Sequence, residues 1–218
     1  MAKATLTALF RALVQSLVET LAPSACVACD ALLAKRAVFC PSCAGSIEPA
    51  PPPRPDLLAF GAYGGPLAQA LRRLKYQDRP DLGRPLGELL RITARNAGMT
   101  ADLVLPVPLH PRRLVDRGYN QAALLAAPVA FELDATLSTF ALRRLRHTPP
   151  QARLDRAARG ENLKGAFDVR RPSLVAGRRV VLVDDVSTTG ATLQACRAAL
   201  LEAGAKSVTA LVVAHTEA

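Results

Sequence analysis

The chain has 218 residues and a mass of 23.1 kDa, the size of one domain or of one domain with a small appendage. Half of the residues are apolar and Trp is absent, so the composition excludes a disordered chain, a collagen repeat and a small disulfide-stabilised protein. The formal net charge of +10 favours a polyanionic partner, either a nucleic acid or a phosphorylated small molecule. No apolar run approaches the roughly 20 residues of a membrane helix, so we expect a soluble protein without membrane insertion.

The first predicted element is an amphipathic helix within residues 1–25. The segment resembles a secretory signal, but Arg11 interrupts its apolar stretch and Pro23 lies where a lipoprotein cleavage site requires Leu. We therefore expect the segment to stay attached and the protein to be cytoplasmic, in a reducing compartment. Apolar residues recur there at helical spacing: Leu6, Leu9, Phe10, Leu13, Leu17 and Leu21.

Four of the five cysteines form two C-x2-C pairs that are separated by ten residues. Each pair places two thiolates on a tight turn, and two such turns complete a tetrahedral metal site. In a reducing compartment this spacing predicts structural zinc rather than disulfides. Four protein ligands leave no open position for catalysis. The predicted ligands are Cys26, Cys29, Cys40 and Cys43, whereas Cys196 is expected to be a buried residue of a later helix.

A proline-rich spacer follows the cysteines, since five of the seven residues in 49–55 are proline. We therefore predict three parts: an N-terminal helix and zinc ribbon (1–48), the spacer (49–55) and an α/β domain (56–218). In the last part, apolar strands alternate with helices, which predicts a parallel sheet with helices on both faces. The predicted strands are 57–63, 102–107, 137–142, 180–184 and 207–214, and the predicted helices are 67–74, 86–97, 120–130, which Pro128 disturbs, and 192–203.

The strongest chemical signal is the segment VVLVDDVSTTGAT at 180–192. A buried strand runs into two aspartates, and a turn of small and hydroxyl residues then enters a helix. Such a turn lies at the carboxyl end of the sheet and presents free backbone N–H groups to a phosphate. Because two adjacent carboxylates would repel a phosphate, we expect them to bind sugar hydroxyls or magnesium. The predicted binding residues are Asp184, Asp185, Ser187, Thr188, Thr189, Gly190, Ala191 and Thr192.

This segment resembles the phosphoribosyl pyrophosphate (PRPP) motif of type I phosphoribosyltransferases. The cysteine pairs and three further segments extend the resemblance to the ComF family, competence-protein-F-like proteins with a zinc ribbon before a phosphoribosyltransferase domain. Those segments are LRRLKY (71–76), PVPLHPRRLVDRGYNQ (106–121) and TPPQARLDRAARGENLKGAF (148–167). The resemblance implies a type I phosphoribosyltransferase-like fold and a link to DNA uptake, and it leaves the acceptor substrate open.

The resemblance also implies roles for individual positions. Asp184 and Asp185 would be catalytic residues that hold the ribose hydroxyls, in part through magnesium, while 187–192 would bind the 5′-phosphate. The turn after the strand 102–107 would take the pyrophosphate, with Arg112 and Arg113 as its cations. Thr188 stands where 6-oxopurine phosphoribosyltransferases carry an additional aspartate, which weakens hypoxanthine or guanine as the acceptor.

The basic residues are concentrated near one predicted loop. Residues 143–179 contain eleven Arg or Lys and three acids, a net charge of +8 out of +10. The resemblance implies that 146–164 is a mobile loop that closes over PRPP, and that Arg153, Arg156 and Arg159 supply the positive charge that the departing pyrophosphate requires. A solvated arginine-rich loop is the alternative interpretation of the same composition.

Two functions therefore remain open. One is an enzyme that binds PRPP with magnesium and transfers phosphoribose to a nitrogenous acceptor. The other is a non-catalytic accessory of DNA uptake that binds single-stranded DNA through the zinc ribbon and basic loop, beside other proteins of the competence machinery. The scarcity of aromatic residues near the basic ones speaks against a large DNA-stacking surface.

Overall fold

The structure is a computed structural model that describes residues 24–34, 37–146, 163 and 165–216. Almost all of the predicted N-terminal helix lies outside the described residues. So does most of the predicted mobile loop, including Arg153 and Arg156.

Apolar runs of Val, Leu and Ala form the strands of the main sheet. These strands are β1 (Leu57–Ala62), β2 (Leu103–Pro106), β3 (Thr136–Leu137), β6 (Arg179–Ser187) and β7 (Ser207–His215). A separate antiparallel pair consists of β4 (Leu142–Arg144) and β5 (Phe167–Val169). Over the described part of the chain, the main sheet has five parallel strands in the order β1-β7-β6-β2-β3.

The described helices cover both faces of this sheet, as the sequence predicts. They are α1 (Pro41–Gly45), α2 (Gly65–Tyr76), α3 (Gly83–Asn96), α4 (Pro111–Arg117), α5 (Gln121–Glu132) and α6 (Ala191–Glu202). Helices α2, α3 and α5 pack on one face in a single hydrophobic cluster, which also contains residues of the cysteine segment. Helix α6 packs on the other face together with β4 and β5. Cys196 is fully buried in that second cluster, which confirms its predicted place.

Several predicted element boundaries were wrong. Helix α5 continues through Pro128 to Glu132, because α5 is packed closely against α3. At this contact a Cβ on Gly87 would lie 2.9 Å from Pro128 Cγ, so only glycine allows the two helices to approach so closely. The predicted strand 137–142 is instead the end of β3 and the start of β4, which belong to different sheets.

The cysteine segment folds as two turns joined by backbone hydrogen bonds. The N–H of Val27 donates to the carbonyl of Val38 at 3.0 Å, and Ala25 pairs with Leu32 in an antiparallel bridge. Cys26 and Val27 are buried in the cluster that also contains helix α2. The division of the chain into 1–48, 49–55 and 56–218 stays a prediction. Within the described ranges, no helix is both long and apolar enough to cross a membrane.

Candidate functional site

A polar cleft of about 280 Å³ lies where β2 and β6 end. Asp184 and Asp185 reach it from β6, and Thr192 reaches it from the first turn of α6. Strand β6 runs three residues beyond Asp184, so both aspartates lie inside the strand, whereas the sequence predicted that the strand ends at Asp184. With Arg113 from α4, the structure gathers four of the predicted binding residues in one cleft.

The two aspartates face opposite sides of the sheet, since successive side chains of a strand alternate. Asp185 lies on the same face of β6 as Val183, whose side chain packs in the hydrophobic cluster that contains α2. Asp184 lies on the same face as Leu182, whose side chain packs in the hydrophobic cluster that contains α6. The carboxylates therefore have different neighbours, although both line the cleft.

Asp185 forms an ion pair with a lysine at the end of α2. Its Oδ2 lies 2.7 Å from Nζ of Lys75. The side chain of Asp185 is 4% exposed and that of Lys75 is 21% exposed. Burial alone would lower the pKa of Lys75, but the charge and the hydrogen bond of Asp185, together with the charge of Asp184, outweigh burial and raise that pKa above its ordinary value. Lys75 is therefore charged and neutralises one of the two carboxylates in the ligand-free protein.

Within the described part of the chain, Asp184 has no ion pair comparable to that of Asp185. Burial, and next the charge of Asp185, raise the pKa of Asp184 well above its ordinary value. Its Oδ1 accepts a hydrogen bond from the backbone N–H of Asp185 at 2.9 Å. A buried carboxyl of this kind is stabilised in its charged form when a cation arrives, so Asp184 is suited to bind magnesium or a magnesium-bound diol.

The turn after β6 has the conformation that a phosphate site requires. Gly190 has a φ of +77° directly before α6, a left-handed conformation that other residues adopt only with strain. The hydroxyl oxygens of Ser187 and Thr189 are buried and find no hydrogen-bond partner in the described part of the chain. The start of α6 also has no side-chain cap, so its first N–H groups are available to an anion.

Not every predicted residue of this turn lines the cleft. Thr188 is exposed, whereas Thr189 and Gly190 line a separate small pocket of about 40 Å³. Ser187 is buried at the end of β6.

Three arginines line the same cleft. Arg113, which was predicted as a cation of the pyrophosphate turn, and Arg117 come from α4, and Arg144 comes from β4. Burial, and next the charge of Arg113, lower the pKa of Arg144, because two guanidinium groups that line one cleft repel each other. An anion between them would relieve this repulsion. The side chain of Arg112 is exposed, and Arg112 does not line the cleft.

The cleft continues into a wider pocket of about 860 Å³. The two share Lys75, Tyr76, Arg113 and Arg117. The ring of Tyr76 is 74% exposed, and the Cζ of Arg117 lies 5.6 Å from its centroid. Sequence reasoning missed Lys75, Arg117 and Arg144, although Lys75 and Arg117 belong to segments that carry the family resemblance.

The four predicted zinc ligands converge on one point. Their Sγ atoms all lie within 4.8 Å of one another. Cys29 Sγ is 3.8 Å from that of Cys40 and 3.7 Å from that of Cys43. A tetrahedron with metal–sulfur bonds of about 2.3 Å has edges of about 3.8 Å, so the cluster fits a zinc ion.

The pKa values of Cys26 and Cys43 are shifted in this cluster. Burial opposes ionisation of Cys26, but hydrogen bonds from the backbone at Cys40 and Cys29 lower the pKa of Cys26 to about 6. Burial and the neighbouring thiols raise the pKa of Cys43. A metal ion that compensates the negative charge would therefore favour the thiolate form of Cys43.

Comparison with known proteins places the chain in a family. The model of the phosphoribosyl transferase domain matches residues 120–218. The chain is 34% identical to DNA utilization protein YhgH of Escherichia coli over 198 residues, which cover 84% of this chain and 86% of that protein. It is 35% identical to competence protein F of Haemophilus influenzae over 158 residues, covering 70% of this chain and 69% of the other.

A solved structure of glutamine PRPP amidotransferase from B. subtilis, complexed with ADP and GMP, is also similar, at 21% identity and a TM-score of 0.46. That match covers 65% of this chain and 30% of the amidotransferase. The identities over most of the chain, the domain match, the parallel sheet and the four-cysteine cluster together show that the chain belongs to the competence protein F (ComF) family of phosphoribosyltransferase-domain proteins.

Proposed function

We propose that the protein binds PRPP with magnesium in the 280 Å³ cleft and transfers its phosphoribosyl group to a nitrogenous acceptor. The observation that carries this proposal is the arrangement at the end of β6. Two carboxylates and three arginines line the cleft, and the turn beside them has buried hydroxyls that find no hydrogen-bond partner among the described residues. This combination matches a ligand with a phosphate, a diol and a second anionic group.

Each part of PRPP has a candidate partner. The 5′-phosphate is assigned to the turn 187–192, whose backbone N–H groups and hydroxyls are donors. The ribose hydroxyls are assigned to Asp184 and Asp185. The pyrophosphate is assigned to Arg113 and Arg144, because the paired guanidinium groups are suited to bidentate contacts with phosphate oxygens.

The reaction breaks the bond between ribose C1 and a pyrophosphate oxygen and forms a bond between C1 and a nitrogen of the acceptor. The pyrophosphate leaves with the bonding electrons, and positive charge develops on C1 and the ring oxygen. Arg113 and Arg144 stabilise the leaving anion, and the carboxylate of Asp184 stabilises the cationic ribose. Magnesium, when bound, neutralises the pyrophosphate. The zinc site has four protein ligands and is structural.

Two further assignments belong to this proposal. Arg153 and Arg156 add positive charge when the loop 146–164 closes over the ligand. The protein acts in the cytoplasm, where thiols stay reduced and PRPP is available.

The proposal is tested by ligand-induced stabilisation. PRPP with magnesium at about 100 times its dissociation constant adds about 2.7 kcal/mol of stability, which raises the melting temperature by several degrees. Arg113→Ala should lose most of this rise, whereas the matched control Arg112→Ala, on the same helix but outside the cleft, should keep it. No rise in the wild type, or an equal loss in both variants, contradicts the assignment. Pyrophosphate release with a panel of nitrogenous bases then tests transfer.

A second candidate function is DNA handling. The relatives carry the names DNA utilization protein and competence protein F. The exposed ring of Tyr76 beside Arg117 offers one base-stacking position next to the cationic cleft. Binding of a fluorescent single-stranded oligonucleotide, measured against salt and against PRPP, separates the two functions. DNA binding that Tyr76→Ala weakens and PRPP does not displace favours the second.

A further inference from the structure

The last turn of helix α2 joins three parts of the molecule. Arg73 contacts the cysteine segment, and Lys75 forms the ion pair with Asp185 in the cleft. Between them, the carbonyl of Leu74 accepts a hydrogen bond from the hydroxyl of Tyr119, which follows α4. Consecutive residues of one helical turn thus contact the cysteine segment, Tyr119 and Asp185.

Arg73 holds the backbone of the first cysteine turn. Its side chain is almost completely buried, and its Nη1 donates to the carbonyls of Val27 and Ala28, each at 3.0 Å. Its Nη2 pairs with the carboxylate of Asp30. Val27 and Ala28 lie between the predicted zinc ligands Cys26 and Cys29, so a metal ion held by these cysteines would fix the backbone to which Arg73 donates.

The helix can transmit a displacement from this contact to the cleft. Within one turn, the backbone hydrogen bonds of α2 keep residues 73 and 75 in a fixed relation. The cysteine segment also packs on this helix through Val27 and Ala28, which share a hydrophobic cluster with Leu71 and Leu74. Movement of the ribbon therefore moves the helix turn that places Lys75 Nζ 2.7 Å from Asp185.

We propose that Arg73 is a positioning residue that couples the zinc ribbon to the cleft, so that the metal state of the ribbon sets the placement of Lys75 against Asp185. Where the cleft ligand is PRPP, this inference rests on the proposed function. The coupling is reciprocal, because a ligand that favours the ordered cleft must favour zinc retention to the same extent.

The first test does not depend on PRPP. Amide hydrogen exchange is measured on the whole protein before and after zinc is removed by a chelator. We expect faster exchange in the cysteine segment and also in 72–76 and 184–187. Faster exchange confined to the cysteine segment, with an unchanged end of β6, overturns the coupling.

The second test uses variants that keep all four cysteines. Arg73→Met should retain one zinc per chain, yet bind PRPP about tenfold more weakly, and Arg73→Lys should restore part of the affinity. The matched control is Arg72→Met, an exposed position of the same helix, which should behave as the wild type. Equal PRPP affinity in Arg73→Met and Arg72→Met overturns the inference.

The third test measures reciprocity. Zinc release to a chromogenic zinc chelator is followed with and without PRPP and magnesium, and we expect the ligand to slow release about fivefold or more in the wild type. The effect should be lost in Arg73→Met. If PRPP binds but does not change zinc release, the coupling is wrong. If PRPP does not bind at all, the proposed function is wrong and the exchange measurement alone decides the coupling.

Discussion

Replacing the two cleft aspartates one at a time should change stability in opposite directions. Asp185→Asn leaves the ammonium group of Lys75 buried without its partner at 2.7 Å. Asp184→Asn removes a buried carboxylate that has no such partner, and it keeps the oxygen that accepts the backbone hydrogen bond from Asp185. The same chemical change, from carboxylate to amide, is therefore made at neighbouring positions in different surroundings.

The structure sets the size of the first effect. Removing one member of a buried ion pair costs about 3–5 kcal/mol. Because the side chain of Lys75 is 21% exposed, part of its hydration is regained. We therefore expect Asp185→Asn to lower the free energy of unfolding by about 2–3 kcal/mol. In a protein of this size, that loss lowers the melting temperature by about 5–10 °C.

The second effect depends on pH. The pKa of Asp184 is raised in the folded protein. The protonated carboxyl therefore contributes its full stability below the ordinary pKa of Asp. This contribution is lost as the pH rises through the raised pKa. Asparagine resembles the protonated carboxyl. Asp184→Asn should therefore melt higher than the wild type at neutral pH, and this gain should disappear below about pH 4.

The assay is thermal unfolding, followed by circular dichroism without magnesium or PRPP, at pH 7 and at pH 4. The double variant Lys75→Met with Asp185→Asn is the control, and it should recover part of the loss because the ammonium group is no longer left without its partner. Equal melting temperatures of the two single variants at pH 7, or a higher one for Asp185→Asn, would refute this account of the ion pair.

The remaining predictions concern the metal, the phosphate turn and the basic loop. Elemental analysis should find one zinc per chain in the wild type and in the control Cys196→Ser, but little zinc in Cys29→Ser. Wild-type protein that is purified without chelators and contains no zinc would exclude the zinc site. Gly190→Ala should destabilise the protein by about 1–2 kcal/mol, because alanine is strained at a φ of +77°, and should weaken PRPP binding in titration calorimetry; unchanged binding would count against the turn as the phosphate site. Arg153→Ala and Arg156→Ala should each weaken PRPP binding without changing zinc content. If instead each lowers the salt slope of DNA binding by about one unit while PRPP affinity stays equal, the DNA function is favoured.

The local features of this protein could be predicted from its sequence. The four cysteines converge because the geometry of each C-x2-C turn is determined within a few residues. The strand 180–183 and the glycine before α6 are likewise recognisable from a run of Val and Leu and from one turn residue. Alternation of strands and helices was sufficient to predict a parallel sheet covered on both faces.

The contacts between distant segments could not be predicted in the same way. A lysine near the end of an amphipathic helix is typical of a solvated surface, and only the packing of α2 on the sheet places Lys75 beside Asp185. Arg112 and Arg113 are equivalent in the sequence, but the orientation of α4 turns only Arg113 into the cleft. Arg144 reaches the cleft because β4 pairs with β5, a pairing without a local signal.

The central claim is that Asp184, Asp185 and the turn that follows them form a PRPP site. Isothermal titration of PRPP into the zinc-loaded protein, with and without magnesium, tests it most directly. The account predicts saturable binding of one PRPP per chain that magnesium strengthens and that the double variant Asp184→Asn with Asp185→Asn abolishes while it retains zinc. Absence of saturable binding at millimolar PRPP, or equal binding by the wild type and the double variant, would contradict it.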